Sequence, residues 1–291
     1  MGKWANEVTA HLLICPFTHF IYSLAYLFTR PSPHPLLSRL FNAFGSFNKP
    51  AFGLASYTLA GKKPVNEDSL LTVQKKRVAL MLVADGVGGH GHGDWASQRC
   101  VEKYRQAFEG IDNLNDPEAF LKENAWTVAR EVLQKGQDDP AYQNAGTTLT
   151  GCLVIEDAYY TINIGDSRTY LYNAQKGLKR LTKDHSMVQE MIDAGTLTEE
   201  EALSHPYRAR MTSAIGQPLE KIKMDVKGPF TLGPGDWLLS FSDGVHDYLT
   251  DAQILQIIQR RPAELPRELV EQALAAGSHD NITACVLTPK A

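Results

Sequence analysis

The sequence predicts an α+β fold in which antiparallel sheets are flanked by helices. Short apolar runs that suit buried strands recur from about Ala51 to the C-terminus, and few helical segments separate them. With 291 residues the chain suits one large domain or two small ones, and its 43% of hydrophobic residues is enough for an ordinary core. We therefore predict a folded domain over residues 51–291 and an N-terminal extension over residues 1–50.

The strand predictions rest on apolar runs of about four to eight residues. Residues 78–83 form an unbroken apolar run, which is typical of a strand buried on both faces. Gly165-Asp166-Ser167 is a turn signal between two of the other runs. The further predicted strands span residues 148–155, 159–164, 168–172, 237–241 and 282–287.

The helix predictions rest partly on capping residues. Asp116 precedes Pro117, and this pair is typical of the start of a helix. Thr250 and Gln253 match a capping box, in which each residue satisfies a backbone N–H of the other. The predicted helices span residues 96–108, 117–134 and 250–259.

The first fifty residues differ from the rest of the chain. Residues 12–28 are mainly apolar, but Pro16, Thr18 and His19 interrupt them, and the stretch is shorter than the roughly 20 apolar residues of a membrane-spanning helix. Two interpretations stay open: a membrane-associated helix that contacts a bilayer, or a poorly ordered or packed extension. No small-residue cleavage site of a signal peptide follows this stretch.

Charge and cysteine content argue against several classes of protein. The formal net charge is −4 and the pI about 6.1, so the chain lacks the basic excess of a general nucleic-acid binder. Its four cysteines lie far apart, which argues against a disulfide framework or a thiolate zinc site. We expect free thiols in a reducing compartment, and therefore a cytoplasmic protein, with membrane association through the extension as the alternative.

Acidic residues recur at the ends of predicted strands. Two apolar strands each run into an Asp that is followed at once by Gly, and another acid stands just before the last strand. An Asn-Glu-Asp cluster precedes the apolar pair Leu70-Leu71. The acids concerned are Asp85 before Gly86, Asp243 before Gly244, Asp280, and Glu67 and Asp68 after Asn66.

These acids favour one shared metal site. A carboxylate at a buried strand end is costly to desolvate unless it is paired or binds a metal ion. Several carboxylates at one sheet end repel each other, and a divalent cation removes that repulsion. Ligands that are all oxygen suit hard cations such as Mg²⁺, Mn²⁺ or Ca²⁺. A glycine after each Asp lets the backbone approach closely, so that a carbonyl oxygen can join the ligands.

The glycine-rich segment over residues 86–93 has several interpretations. It lacks the Lys-Ser/Thr of a Walker loop and does not match a dinucleotide-binding fingerprint. His90 and His92 either bind metal or only form hydrogen bonds with the backbone, and the second role is the commoner one for such histidines.

Read in order, these motifs resemble those of the type 2C metal-dependent protein serine/threonine phosphatases, in the style of their compact bacterial branch. The resemblance extends over about 225 residues, from near Ala51 to the C-terminus. Each motif is short, but the set and its order are specific. The matching motifs are Asn66-Glu67-Asp68; Val83-Ala84-Asp85-Gly86-Val87-Gly88-Gly89-His90 with Ala96-Ser97; Gly146-Thr147-Thr148; Gly165-Asp166-Ser167-Arg168; Thr182-Lys183-Asp184-His185-Ser186; Ser242-Asp243-Gly244-Val245; and Asp280-Asn281-Ile282-Thr283.

The resemblance implies a four-layer αββα sandwich with two Mn²⁺ or Mg²⁺ ions at one edge of its sheets. It implies hydrolysis of phosphoserine and phosphothreonine in proteins by a metal-activated water. The expected partners are phosphoproteins, together with the serine/threonine kinase that modifies them, and no nucleic acid.

The resemblance also assigns roles by position. Asp85 is expected to bridge both ions, and the carbonyl oxygen of Gly86 to bind the second ion. Asp243 and Asp280 are expected to bind the first ion. The residues expected to act through metal-bound waters are Glu67 and Asp68.

The sequence departs from the family pattern at three places. Lys63 stands where family members often have an arginine that grips the substrate phosphate, and we expect Lys63 to do so as a point charge. Val87 replaces a histidine that is a candidate general acid in some eukaryotic members, so a metal-bound water or another group must protonate the leaving oxygen. Residues 142–145 carry no acid for a third metal, and Asp138 and Asp139 lie further back, so a third site stays open.

Residues 187–215 resemble the family's flap beside the active site. Thr198 and Glu201 match a capping box there. Arg208 and Arg210 either attract a phosphopeptide or are solvated surface residues. Asp166, Arg168, Asp184 and His185 are interpreted as structural, with Asp166 and Arg168 in hydrogen bonds.

Two other functions stay open at this point. One is a catalytically silent interaction module of the same fold, against which the retained Asp85, Asp243 and Asp280 argue. The other is a metal-dependent hydrolase of small phosphoesters or nucleotides. Turnover of a phosphopeptide compared with a nucleotide monophosphate separates these alternatives.

Overall fold

The computed structural model describes residues 51–88, 92–111, 114–202 and 204–290. The predicted membrane-associated stretch over residues 12–28 and the candidate ligand His90 lie outside the described residues. Among the helices in the described ranges, none is both long and apolar enough to cross a bilayer.

The described chain alternates strands with a few helices. In chain order the elements are β1 (Phe52–Leu59), β2 (Asp68–Lys75), β3 (Val78–Val87), α1 (Gly93–Glu109), α2 (Pro117–Asp138), β4 (Gly146–Thr147), β5 (Leu149–Ile155), β6 (Ala158–Ile164), β7 (Arg168–Asn173), β8 (Gly177–Arg180), α3 (Met187–Asp193), α4 (Glu199–Ala202), β9 (Asp225–Thr231), β10 (Trp237–Phe241), α5 (Asp243–His246), α6 (Asp251–Gln259), α7 (Leu265–Ala275) and β11 (Ile282–Pro289).

The strands form two sheets in which every strand pairing is antiparallel. One sheet has the order β1-β11-β10-β7-β8, and the other has the order β2-β3-β5-β6-β9, with the short β4 pairing with the end of β3. Three neighbouring pairs, β2-β3, β5-β6 and β7-β8, are consecutive in the chain and form hairpins. The other pairs are separated by further elements, and the last strand of the chain, β11, inserts between β1 and β10.

Three apolar clusters divide the domain into four layers. The inner faces of the two sheets meet in one cluster that includes Met81, Cys152 and Leu238. The outer face of the β2-β3-β5 sheet packs against α1 and α2, and the outer face of the β10-β11 sheet packs against α6 and α7. The order helix, sheet, sheet, helix confirms the predicted α+β sandwich.

Local signals place most elements as predicted. Asp116 caps α2 by accepting a hydrogen bond from the backbone N–H of Ala119 at 2.9 Å, and the capping box of Thr250 and Gln253 starts α6. Asp243 lies two residues beyond the end of β10, where it begins the single turn α5. The elements without a counterpart in the predictions are the strands β1, β2, β4, β8 and β9 and the helices α3, α5 and α7.

Candidate active site

Asp68 and Asp85 are cross-strand neighbours. The register of β2 against β3 places Asp68 directly opposite Asp85, at the end of β3 where the glycine-rich segment begins. Directly opposed residues of antiparallel strands have Cβ atoms roughly 5 Å apart. Two negative charges at that distance destabilise the pairing unless a cation or a proton intervenes.

The Gly-Thr-Thr motif fixes the backbone of Asp85. The N–H of Asp85 donates to Thr148 Oγ1 at 3.0 Å, and its carbonyl oxygen accepts from Thr147 Oγ1 at 3.0 Å and from the N–H of Thr148 at 2.8 Å. All main-chain polar groups of Asp85 are thereby satisfied, and only its carboxylate is left for the site.

The two Asp-Gly pairs lie at close backbone contacts. A Cβ atom on Gly86 would lie 2.3 Å from the carbonyl oxygen of Gly93 at the start of α1. A Cβ on Gly244 would lie 2.0 Å from the carbonyl oxygen of Asn281. Both glycines are therefore required by space, and the second contact holds Asp243 close to the segment that carries Asp280.

Asn281 joins that segment to the residues before β2. Its side-chain oxygen accepts from the N–H of Glu67 at 2.8 Å, and its side-chain nitrogen donates to the carbonyl oxygens of Ala60 and Val65, each at 2.9 Å. The side chain is 4% exposed, so these bonds are shielded from water. Asn281 thus places Glu67 next to Asp280, which precedes it in the chain.

Asp68 is a buried carboxylate with one unsatisfied oxygen. Its Oδ2 accepts a hydrogen bond from Ser242 Oγ at 2.8 Å, whereas its Oδ1 is buried and has no hydrogen-bond partner in the described part of the chain. Burial, opposed by hydrogen bonds from Thr283 and Ser242, raises the pKa of Asp68 to about 6. A buried acceptor without a partner is a position where a ligand is expected.

The same conflict between burial and charge extends to the neighbouring acids. Burial, reinforced by Asp68 and then Asp243, holds the pKa of Asp85 well above its ordinary value. Burial, reinforced by Asp166 and Asp247, does the same to the pKa of Asp243. These raised pKa values are the signature of carboxylates that repel each other in a site without enough positive charge.

The donors fit a hard divalent cation bound partly through water and backbone. Within the described ranges, no three Asp, Glu, His or Cys side chains converge closely enough to hold one ion by themselves. These carboxylates alone therefore do not complete the ligands of an ion in the described residues, and the expected contribution of the Gly86 carbonyl oxygen and of water stays a prediction. The orphaned Oδ1 of Asp68 and the all-oxygen donor set fit Mg²⁺ or Mn²⁺.

Lys63, the predicted phosphate ligand, lies beside a predicted metal ligand. Its Nζ is 3.2 Å from Asp280 Oδ1, and the two side chains are 46% and 42% exposed. Partial burial opposes the charge of Lys63, but Asp280 outweighs it and raises the pKa of Lys63 above its usual value. The lysine is thus at the mouth of the site, and its charge is shared with Asp280.

Sequence reasoning missed two acids that belong to this group. Asp166 and Asp247 both raise the pKa of Asp243, and burial raises the pKa of Asp166 itself to about 7. Asp247 stands four residues after Asp243, a spacing that places both on one side of a helical turn, and this signal was available in the sequence. Asp166 and Arg168 were interpreted as hydrogen-bonded structural residues; Arg168 does form three hydrogen bonds of 2.7–3.1 Å, all with Asp184.

The comparisons with known proteins identify the family of the chain. The profile of the protein phosphatase 2C family matches residues 59–276, which is most of the chain. The chain belongs to the protein phosphatase 2C family. The predicted resemblance and the predicted class of enzyme, a serine/threonine protein phosphatase, are thereby confirmed.

Bacterial relatives make the placement more specific. The protein phosphatase PhpP of Streptococcus pneumoniae is 33% identical over 237 residues, which cover 79% of this chain and 95% of that protein. The crystal structure of the serine/threonine phosphatase Stp1 from Staphylococcus aureus matches with a TM-score of 0.76 and 27% identity, covering 82% of this chain and 96% of that one.

A relative with bound metal supports a dinuclear centre. The catalytic domain of the serine/threonine protein phosphatase PstP, crystallised with two manganese ions, matches with a TM-score of 0.71 and 29% identity over 82% of this chain and 99% of that one. A two-metal centre therefore fits the family to which this chain belongs.

Proposed function

We propose that the acids around Asp85 are the active centre of this phosphatase and that it hydrolyses phosphoserine and phosphothreonine in proteins. The observation that carries the proposal is the meeting of three acids: Asp68 lies directly opposite Asp85 and accepts a hydrogen bond from Ser242, the neighbour of Asp243, and the pKa of each acid is raised. Bringing these carboxylates together costs free energy of folding unless the group binds cations, so such a group indicates a functional site.

The residues divide the work between the two sheets. Asp85 and the carbonyl oxygen of Gly86 come from one sheet, and Asp243 and Asp280 from the other. These residues would hold divalent ions, and the ions would supply positive charge for a phosphate group and an activated water for attack on phosphorus. Asp68, whose Oδ1 is unsatisfied, orders the surrounding water, and Glu67 is held beside it by Asn281.

Two groups at the mouth act on the substrate. Lys63 offers a positive charge to the phosphate oxygens, although without the paired geometry of an arginine. Val87 has no proton to donate, so the leaving oxygen takes its proton from water.

The choice of metal and the number of ions are part of the proposal. Oxygen ligands suit Mn²⁺ and Mg²⁺ alike, and we favour Mn²⁺ because it is the ion in the PstP structure. A third ion stays open: Asp166 and Asp247 are near enough to Asp243 to raise its pKa, but Asp247 already pairs with Arg208 at 2.8 Å. Asp138 and Asp139 are occupied elsewhere, by Gln134 and Lys135.

The proposed substrates are proteins phosphorylated by a serine/threonine kinase, and the proposed location is the cytoplasm. The names of the bacterial relatives support the first point. The scattered cysteines support the second, because they suit a reducing compartment.

The test is phosphate release from a phosphothreonine peptide and from a nucleotide monophosphate. We expect turnover of the peptide with Mn²⁺, much less with Ca²⁺, and none with excess chelator. Asp243→Asn keeps the shape of the side chain but removes a ligand charge, so kcat should fall by about 10²-fold or more. Full activity in chelator would refute the metal centre, and a preference for the nucleotide would favour the small-phosphoester alternative.

A further inference from the structure

A cleft of about 470 Å³ runs from the proposed active centre to the predicted flap. We call it the acidic cleft and define it by Asp243, His246 and Asp247 at its inner end and Glu199, Glu200 and Asp251 at its outer rim. Asp243 belongs both to the acidic cleft and to the proposed active centre. A substrate whose phosphate is at the active centre therefore has its flanking residues close to the acidic cleft.

The acidic cleft has an excess of negative charge. Seven acidic residues and three arginines line it. The arginines are already paired with acids of the same cleft: Arg168 and Arg180 with Asp184, and Arg208 with Asp247 at 2.8 Å. The acids at the rim therefore carry charge that no arginine of the cleft offsets, and charge of one sign in a cleft attracts a ligand of the other sign.

The rim is held in place by the short helix α4. Thr198 and Glu201 form the predicted capping box, with the N–H of Glu201 donating to Thr198 Oγ1 at 3.2 Å and the N–H of Thr198 donating to Glu201 Oε2 at 2.8 Å. Glu199 and Glu200 lie between these two residues, and both side chains are exposed. Their positions are thus fixed by the backbone while their carboxylates stay accessible.

A second, independent feature also points to a ligand. His246 is 7% exposed, lines the acidic cleft, and has no hydrogen-bond partner at either ring nitrogen within the described residues. The Oδ1 of Asp247 lies 3.7 Å from His246 Nδ1, which is too far for a hydrogen bond. An orphaned buried imidazole in the wall of a cavity provides a donor and an acceptor for a bound group.

The depth and chemistry of the cleft suit a long side chain with an apolar stem. Val188, Ile192 and Leu249 contribute apolar wall, and the acids stand further out at Glu199 and Glu200. Lysine and arginine bury an apolar stem and keep their charge at the end.

We propose that the acidic cleft binds a lysine or arginine side chain that flanks the phosphorylated residue of the protein substrate. This inference rests on the proposed function, because the phosphate must be at the active centre. It makes Glu199 and Glu200 specificity-determining residues, and it means that acidic residues at the same flanking position are disfavoured.

The experiment compares phosphothreonine heptapeptides with alanine at all other positions. Lysine, and separately glutamate, replaces one alanine at a time, and kcat/KM is measured with Mn²⁺ at low and high salt. We expect lysine at one or two flanking positions to raise kcat/KM about fivefold over alanine, and glutamate there to lower it. High salt should weaken both effects, because exposed charges are screened.

The decisive variant is Glu199→Gln/Glu200→Gln, with Glu109→Gln/Glu123→Gln on the exposed faces of α1 and α2 as its matched control. The first should lose the lysine preference, the second should keep it, and both should hydrolyse p-nitrophenyl phosphate like the wild type. The proposal is overturned if the wild type shows no lysine preference, or if the preference survives in Glu199→Gln/Glu200→Gln, while p-nitrophenyl phosphate is hydrolysed normally. Failure of the wild type to hydrolyse any of these phosphoesters would refute the proposed function, and the subsite with it.

Discussion

Two groups of buried acids lie near the same end of the sandwich, and they are compensated in different ways. Asp184 is 8% exposed and binds Arg168 through three hydrogen bonds, with Arg180 nearby at 3.8 Å. Asp68 is 7% exposed, but hydroxyl groups are its partners and one of its oxygens has none. Burial alone therefore does not separate a structural acid from a functional one. The partner of the acid separates the two cases. A guanidinium neutralises the carboxylate within the chain, whereas hydroxyl groups leave its negative charge available to an external cation.

Breaking the internal pair gives the largest expected effect on stability. Arg168→Met leaves Asp184 buried without its partner, so the free energy of unfolding should fall by about 3 kcal/mol. The loss should be the same in Mn²⁺ and in chelator, because this acid does not depend on the ions. Urea unfolding measures it, with Lys122→Met as control, since Lys122 forms an exposed pair with Glu118 that should contribute less than about 0.5 kcal/mol. A loss under about 1 kcal/mol would contradict the structural role of the pair.

Changing the pH of the chelated protein sharpens the comparison. The pKa of Asp166 is raised to about 7 and that of Asp68 to about 6, both above their unfolded values near 4, so the folded state binds more protons in this range. Stability in chelator should therefore rise as the pH falls from 8 to 6.5, by about 1 kcal/mol. His246 acts in the opposite direction, because burial lowers its pKa in the folded state while the unfolded histidine takes up a proton near pH 6.5, so this loss begins at the lower end of the range and lies mostly below it.

Urea unfolding at pH 8 and 6.5 checks that prediction. Asp166→Asn should flatten the dependence in chelator, and saturating Mn²⁺ should abolish the gain at pH 6.5, because protons and cations compete for the same oxygens. If stability in chelator decreased as the pH was lowered from 8 to 6.5, the pKa values of these carboxylates would not be raised in the folded protein.

Lys63 shares features with both groups of acids, because it forms an ion pair within the chain and lies at the proposed active centre. Its removal gives the smallest expected effect, a change in KM and in Mn²⁺ dependence. Lys63 pairs with Asp280 as Arg168 pairs with Asp184, but the two side chains of the Lys63–Asp280 pair are 46% and 42% exposed. Lys63→Met should raise KM for a phosphopeptide about threefold and lower the half-saturating Mn²⁺ concentration about twofold, because one competitor for Asp280 is gone. Steady-state kinetics with Mn²⁺ titration decide this, with Lys62→Met as the neighbouring control. Equal, small effects in both variants would mean that neither lysine is a dedicated phosphate ligand.

Local signals in the sequence predicted the centre of the fold better than its margins. The apolar run of β3 and the capping residues of α2 and α6 depend on their own segments, so they could be identified without the rest of the structure. β9 could not, because it is an edge strand with a mostly exposed pattern and contains Pro229. β2 mixes polar and apolar residues, and its place is decided by pairing with β3.

The candidate site shows the same division. Asp85 and Asp243 were predictable because each follows an apolar strand and precedes a glycine. The contribution of Asp166 was not, since it arises from the pairing of β7 with β10, which places Arg168 opposite Phe241 and brings the residues beyond these strand ends together. The attachment of Lys63 to Asp280 was also hidden, because 217 residues separate the two in the chain.

The division of the acids between two sheets has a mechanical consequence. Asp68 and Asp85 belong to the β2-β3 hairpin, whereas Asp243 and Asp280 border β10 and β11 of the facing sheet. If the proposed ions are held by both pairs, they would join the two sheets at one end of the sandwich, where the apolar layer between the sheets gives way to charge. That end would then resist separation of the sheets only with metal bound, so metal occupancy would set the rigidity of the edge on which a phosphoprotein docks.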